Sequence, residues 1–371
     1  MSTASHRPAT NPAAAPSPPG RTAEAAEEEQ ITAVAATLVL AYGLHPAAIT
    51  RIPEGTATDN YAVVDHAGRR HFAKVYRTRE HLHLDLERAS VELSEYCADG
   101  GVATARATRT REHELIATRG RLPMSLWSYV PHTETAEGGL RGARWAAVGT
   151  EMGRLHARLA THPAAAPTLE RGAAVCDVAA SRDRFERLIH AYQHKPRLGE
   201  FETWALQAAR ERQAILGDVE RTVASLPQLT VQILHGDIAG PNLLFKSDEV
   251  AAFVDFRPPA SGYLAWEIAR LGCDPKSVLD NSAESWLTGY TDLTLAYRDA
   301  NSRASADDLV SSLRVGCAAM LCSAFPLSVP VERPHIVDAA MEAYGRVRHE
   351  AALMLLDRLP VMEEALRDTL R

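Results

Sequence analysis

The chain has 371 residues, enough for two lobes around a cleft, and with 46% apolar and 23% charged residues it has the composition of an ordinary soluble globular protein. A formal charge of −7 argues against non-specific nucleic-acid binding, which depends on lysine and arginine neutralising phosphates. The first apolar run, residues 31–44, follows three glutamates instead of a basic segment and is too short to span a bilayer, so neither a signal peptide nor a membrane anchor is expected.

Five cysteines, Cys97, Cys176, Cys273, Cys317 and Cys322, are scattered without paired metal-ligand spacing. Such a set reads as reduced, buried thiols in a cytoplasmic protein. The cations are overwhelmingly arginine, with lysine only at Lys74, Lys195, Lys246 and Lys276. Together with abundant alanine, this is the composition of a GC-rich bacterial genome.

Residues 1–21 are rich in alanine, proline, serine and threonine without hydrophobic period, and are expected to form an unstructured tail. Residues 22–42 read as a helix ending at Gly43. Strand-like runs at 51–64 and 71–76 are joined by a turn at 65–70. Within the first, Gly55 opens a short loop to Asn60 whose backbone N–H groups suit anionic oxygens. The second carries Lys74 between apolar neighbours, in a chain that elsewhere prefers arginine. A compact ammonium fits between phosphates where a guanidinium does not.

A helix follows over 79–98, breaking at Gly100 and Gly101 and carrying the acids Glu87 and Glu92. Residues 114–118 and 124–131 read as further strands. Beyond Pro131 the chain turns helical. Val148, Met152, Leu155 and Leu159 repeat at helical spacing and make one buried face of a helix over 145–159. Two more helices are expected between 176 and 226.

The most informative stretch comes next. Three short apolar runs, 231–234, 243–245 and 251–254, read as buried strands, with a hairpin turn at 246–249. The run His235-Gly236-Asp237 and Asn242 flank one loop between the first two, and Asp255-Phe256 leaves the end of the third. That arrangement suits phosphoryl transfer from a nucleotide. One carboxylate orients or deprotonates an acceptor hydroxyl, while an amide and a second carboxylate hold magnesium against the phosphates. Arg257, next after Asp-Phe, reads as a surface ion-pair residue. Trp266 and Glu267 open a further helix, and the remainder alternates helix and turn.

The pattern H-G-D-x-x-x-x-N, followed by an apolar D-F, resembles the aminoglycoside phosphotransferase and choline kinase superfamily, which has a protein-kinase-like fold. The resemblance implies an α+β, bilobal structure. Residues 22–131 would form a nucleotide-binding lobe around an antiparallel sheet, and 132–371 a larger, mainly helical catalytic and acceptor-binding lobe. It further implies ATP or GTP as phosphate donor, Mg2+ as cofactor and a small-molecule hydroxyl as acceptor. Carried over residue by residue, Asp237 is the catalytic base or hydroxyl-positioning group, and Asn242 and Asp255 are the magnesium ligands. Lys74 contacts the α- and β-phosphates beneath the Gly55 loop and pairs with a helix acid, Glu87, or Glu92 in reserve. The backbone at Ser128 and Val130 holds the purine. His235 braces the catalytic loop and Glu267, where the family usually has Asp, buttresses it. The acceptor implied is an antibiotic or related natural product. A metabolite of homoserine, choline or sugar type is the alternative, and a non-catalytic nucleotide-binding protein on the same fold is a third reading.

Overall fold

The computed structural model describes residues 23–53, 58–78, 80–131 and 133–371. The expected tail, residues 1–21, and Gly55 of the expected phosphate loop lie outside them. Helix α1 (Ala23–Thr37) continues through a π-helical turn, Leu38–Tyr42, and stops where Gly43 takes a φ of 65° and donates its N–H to the Val39 carbonyl at 3.1 Å. Strands β1 (Pro46–Ile52), β2 (Thr58–Asp65) and β3 (Arg70–Tyr76) then run antiparallel. Asp65 shapes the β2–β3 turn, its carboxylate accepting from the Ala67 and Arg69 N–H groups at 2.9 and 2.8 Å. Alternation along the strands puts Tyr61, Val63, Ala73 and Val75 against Val34 and Leu38 of the first helical segment, making a small core of their own.

Helix α2 (His81–Asp99) crosses to β4 (Ala107–Thr108) and β5 (Met124–Ser128), completing a five-stranded sheet of order β1-β2-β3-β5-β4. The strand expected over 114–118 does not form. Only an isolated bridge, Ala117 to Met124, is made there, and the sheet's edge is the shorter β4. Thr110 closes a tight turn with Glu114, and Leu115 and Ile116 are apolar because they pack with Leu84 and Val91 of α2.

The second lobe comprises β6 (Glu134–Thr135), α3 (Arg144–Leu159), β7 (Thr168–Arg171), α4 (Val178–Gln193), α5 (Glu200–Ala224), β8 (Gln228–Ile233), β9 (Leu243–Lys246), β10 (Glu249–Phe253), β11 (Ser261–Tyr263), α6 (Leu264–Gly272), α7 (Pro275–Leu279), α8 (Ala283–Ala300), α9 (Ala306–Cys322), α10 (Val329–Glu332) and α11 (Ala339–Leu370). Two small sheets, ordered β10-β9-β6 and β11-β8-β7, are embedded among these helices. Val148, Met152, Leu155 and Leu159 of α3 are fully buried, as their spacing predicts. Helix α3 approaches α8 closely because Gly149 has no side chain: a Cβ there would lie 2.1 Å from the Leu293 carbonyl oxygen. The whole is the bilobal α+β arrangement expected from the sequence. Among the described residues no helix is long and apolar enough to cross a membrane. All five cysteines are free.

Candidate active site

The loop between β8 and β9 is built to hold Asp237 and Asn242 at fixed places. Asn242 ends a 3-10 turn, Gly240–Asn242, and its Nδ2 donates to the Asp237 carbonyl at 2.8 Å, closing the loop on itself. Its carbonyl accepts the Val254 N–H at 3.0 Å, so the end of β10 lies beside it and Asp255 follows at once. Asp255 adopts a φ of 63°, a left-handed conformation that costs a non-glycine residue on the order of 1 kcal/mol or more. In that conformation its carboxylate forms an ion pair with the Nζ of Lys74, reaching across from β3 of the first lobe.

Beneath the loop lies a buried polar chain. Glu267 of α6 is 1% exposed and accepts the His235 N–H at 3.0 Å and the Gly236 N–H at 2.6 Å. It also meets His156 Nε2 at 3.0 Å, and His156 Nδ1 in turn meets the Tyr297 hydroxyl at 2.8 Å. Burial alone would raise the Glu267 carboxyl, but its bonds to His156 and the Gly236 N–H hold it below the usual carboxylate range. Burial pushes the His235 imidazole down, so it stays neutral. The hydrogen-bond network assigns the tautomer: Nε2–H donates to the Val254 carbonyl at 3.1 Å, and Nδ1 accepts the Asp237 N–H at 3.3 Å. His235 thereby ties the Asp237 loop to the Asp255 strand, and Glu267 holds both from below.

Asp237 itself is flanked by two arginines. Arg257 Nη2 lies 2.8 Å from Oδ2 and Arg270 Nη2 lies 3.2 Å from Oδ1. Gly236 is required here twice over: its φ is 89°, and a Cβ would sit 2.7 Å from the Cβ of Arg257. Burial would raise the Asp255 carboxyl, but Lys74, with Arg257 adding, leaves it below its ordinary range and ionised. Arg257 is held above its ordinary value first by its bond to Asp237, with Asp255 and Glu87 contributing.

Lys74, Asp237, Asn242 and Asp255 thus share one cleft, with His235 and Glu267 as their support. Other expectations change. Glu87 does not pair with Lys74, whose ion-pair partner is Asp255: Glu87 is in no ion pair among the described residues, and Glu92 is exposed. The acid of α2 with fixed contacts is Glu95, which accepts the Ala107 N–H at 2.8 Å and so anchors β4. Ser128 has its N–H committed to the Arg106 carbonyl at 2.8 Å, which leaves it no backbone donor for a base. Val130, two residues on, has an N–H without a partner among the described residues. Sequence reasoning missed Arg270 altogether. Its only signal is its position three residues after Glu267, one helical turn along α6.

The donor set fits magnesium. Asn242 Oδ1 and the Asp255 carboxylate are hard oxygens, and among the described residues no cluster of three or more His, Cys, Asp or Glu forms a self-sufficient metal cage. Two protein oxygens suit an ion that takes its remaining ligands from phosphates and water.

A fold of this kind, with these residues at the junction of its lobes, is that of the small-molecule phosphotransferases built on the protein-kinase plan. Residues 48–303 match the model of the phosphotransferase enzyme family, more than half of the chain, and the chain belongs to that family. Among solved structures, it resembles spectinomycin phosphotransferase in complex with ADP and spectinomycin, with a TM-score of 0.62 and 12% identity over 88% of this chain and 98% of the other. It also resembles an amicoumacin kinase in complex with AMP-PNP and Ca2+, with a TM-score of 0.56 and 14% identity over 90% and 96% of the two chains. An aminoglycoside phosphotransferase from Alicyclobacillus acidocaldarius subsp. acidocaldarius gives a TM-score of 0.54 and 17% identity over 87% and 95%. At these identities the likeness is one of fold. No curated protein matches the chain by sequence.

Proposed function

We propose that this enzyme moves the γ-phosphoryl group of ATP or GTP to a hydroxyl of an antibiotic or related natural product, with magnesium as cofactor, in the cytoplasm. The observation that carries the reading is the meeting of Lys74 with Asp255 across the cleft, beside Asp237 and Asn242. Held by Asn242 and Asp255, magnesium would neutralise phosphate charge. Lys74 adds a fixed ammonium on the same side, and the unpartnered Val130 N–H is a donor for the base. Asp237 aligns the acceptor hydroxyl and takes its proton. Positioning and charge stabilisation supply most of the acceleration, because the transition state of phosphoryl transfer is loose. The antibiotic kinases among similar folds support this choice of acceptor.

The test is a magnesium-dependent turnover screen with ATP and GTP against antibiotics and common metabolites, read as a mass gain of one phosphate on the acceptor. A gain on a natural-product hydroxyl supports the reading. A gain confined to homoserine, choline or a sugar replaces it with a metabolite kinase.

A further inference from the structure

Both carboxylate oxygens of Asp237 are already occupied, Oδ2 by Arg257 and Oδ1 by Arg270. An acceptor hydroxyl that reaches Asp237 arrives beside both guanidinium groups. Both stay charged at any working pH, and whichever is drawn off Asp237 is best received by another anion.

The two arginines are not equivalent. Arg257 is 59% exposed and follows two residues after Asp255, the carboxylate that pairs with Lys74. It belongs to the phosphate-donor half of the cleft. Arg270 is 28% exposed, and Asp237 is its only ion-pair partner among the described residues. Its guanidinium carbon lies 6.0 Å from the ring centroid of Trp266, one helical turn earlier on α6. Trp266 and Tyr263 also line an open pocket of about 370 Å³, together with Cys176, Asp177, Cys322 and Ser323. Arg270 thus pairs with Asp237 and lies near Trp266, one wall of this cavity.

The cavity's charge points the same way. Its single lining carboxylate, Asp177, accepts the Ala180 N–H at 2.8 Å as the N-cap of α4. The remaining lining is aromatic, thiol, hydroxyl or small. A polycationic acceptor would meet two guanidinium groups at the reacting end and one committed carboxylate beyond them.

Given the phosphotransfer reading, on which this rests, we infer that the acceptor carries an anionic group, a carboxylate or a phosphate near the reacting hydroxyl, and that Arg270 binds it. The acceptor's apolar body packs against Trp266 and Tyr263. As its anion takes Arg270, Oδ1 of Asp237 is freed to receive the hydroxyl proton. The acceptor oxygen bonds to the γ-phosphorus while the β–γ bridging bond breaks, and the electron pair leaves on the nucleoside diphosphate. Substrate binding thus unlocks the base, which makes turnover conditional on the acceptor's charge.

The probes are matched sets of hydroxylated compounds, aliphatic and aromatic, each made as the carboxylic acid, the phosphate ester, the neutral amide and the amine. They are assayed with magnesium and ATP on wild type, Arg270→Gln and Arg270→Lys. The expected wild-type result is a kcat/KM for the anionic members roughly 10- to 100-fold above the amides, the range of a charge-assisted hydrogen bond, with the amines lowest. Arg270→Gln should erase that preference mainly through the acceptor KM, and Arg270→Lys should keep part of it. Whether acids or phosphate esters lead identifies which anion is natural. Preference for amines in the wild type, or an acid preference that survives Arg270→Gln, overturns the inference. Magnesium–ATP binding on the same samples separates the two levels: its absence overturns phosphotransfer itself, whereas its presence with a preference for amines overturns only the anionic acceptor.

Discussion

Asp237→Ala is expected to lower kcat by about 10³-fold while nucleotide still binds, an effect within the usual range for losing a positioned general base. The reason lies in the geometry. Asp237 is held from three sides, by the Asn242 side chain on its carbonyl, His235 on its N–H and two arginines on its carboxylate. None of those contacts belongs to Lys74 or Asp255, so the nucleotide's partners survive the substitution. Asp237→Asn keeps the size but cannot accept the proton, and should be similarly slow. Steady-state turnover and a nucleotide titration on the same preparation give the result. Near-normal turnover in the alanine variant would remove Asp237 from the reaction.

The second large effect concerns folding. Glu267→Ala leaves the buried His235 N–H and His156 ring, and the more exposed Gly236 N–H, without their acceptor. Each buried donor left unsatisfied costs about 1–3 kcal/mol, so the two buried ones should total roughly 2–6 kcal/mol. Glu267→Gln, which keeps one acceptor oxygen, should cost less. The acid dependence has a defined sign. The Glu267 carboxyl is depressed below its ordinary value of 4.5 in the folded protein, so its contribution is complete above that pH and disappears as pH falls through the folded value. The gap between wild type and Glu267→Ala in urea denaturation should therefore narrow below pH 4.5. A gap under about 1 kcal/mol at neutral pH would show that the buried chain does not hold the loop.

What could be read in the sequence was whatever carries its own punctuation. The β8–loop–β9–β10 segment has apolar runs of strand length separated by Gly, Pro, Asp and Asn, so Asp237, Asn242 and Asp255 could be placed at strand ends without coordinates. Lys74 was visible through the rarity of lysine, and α3 through its spacing. What was hidden depends on how elements turn toward each other. Leu115 and Ile116 are apolar because they pack against α2, and a short run buried under a helix has the same pattern as a strand. The β4 edge is two residues long, too short for any periodicity, so the commitment of the Ser128 N–H could not be anticipated. On α2 the acids Glu87, Glu92 and Glu95 look alike in sequence, and only the helix's rotation decides that Glu95 anchors β4 while Glu92 is exposed. Arg270 was hidden for the same reason. With Glu267 turned inward, a residue one turn later arrives at Asp237.

The decisive measurement is calorimetric titration of a non-hydrolysable ATP analogue, with and without magnesium, into wild type, Lys74→Met and Asp255→Ala. Binding that requires magnesium, and that weakens at least about tenfold in each variant, is the predicted result, the size expected for losing a charged partner of a phosphate or its cation. Magnesium-dependent binding that neither substitution changes would mean that the nucleotide lies elsewhere, and that the pairing of Lys74 with Asp255 is structural only.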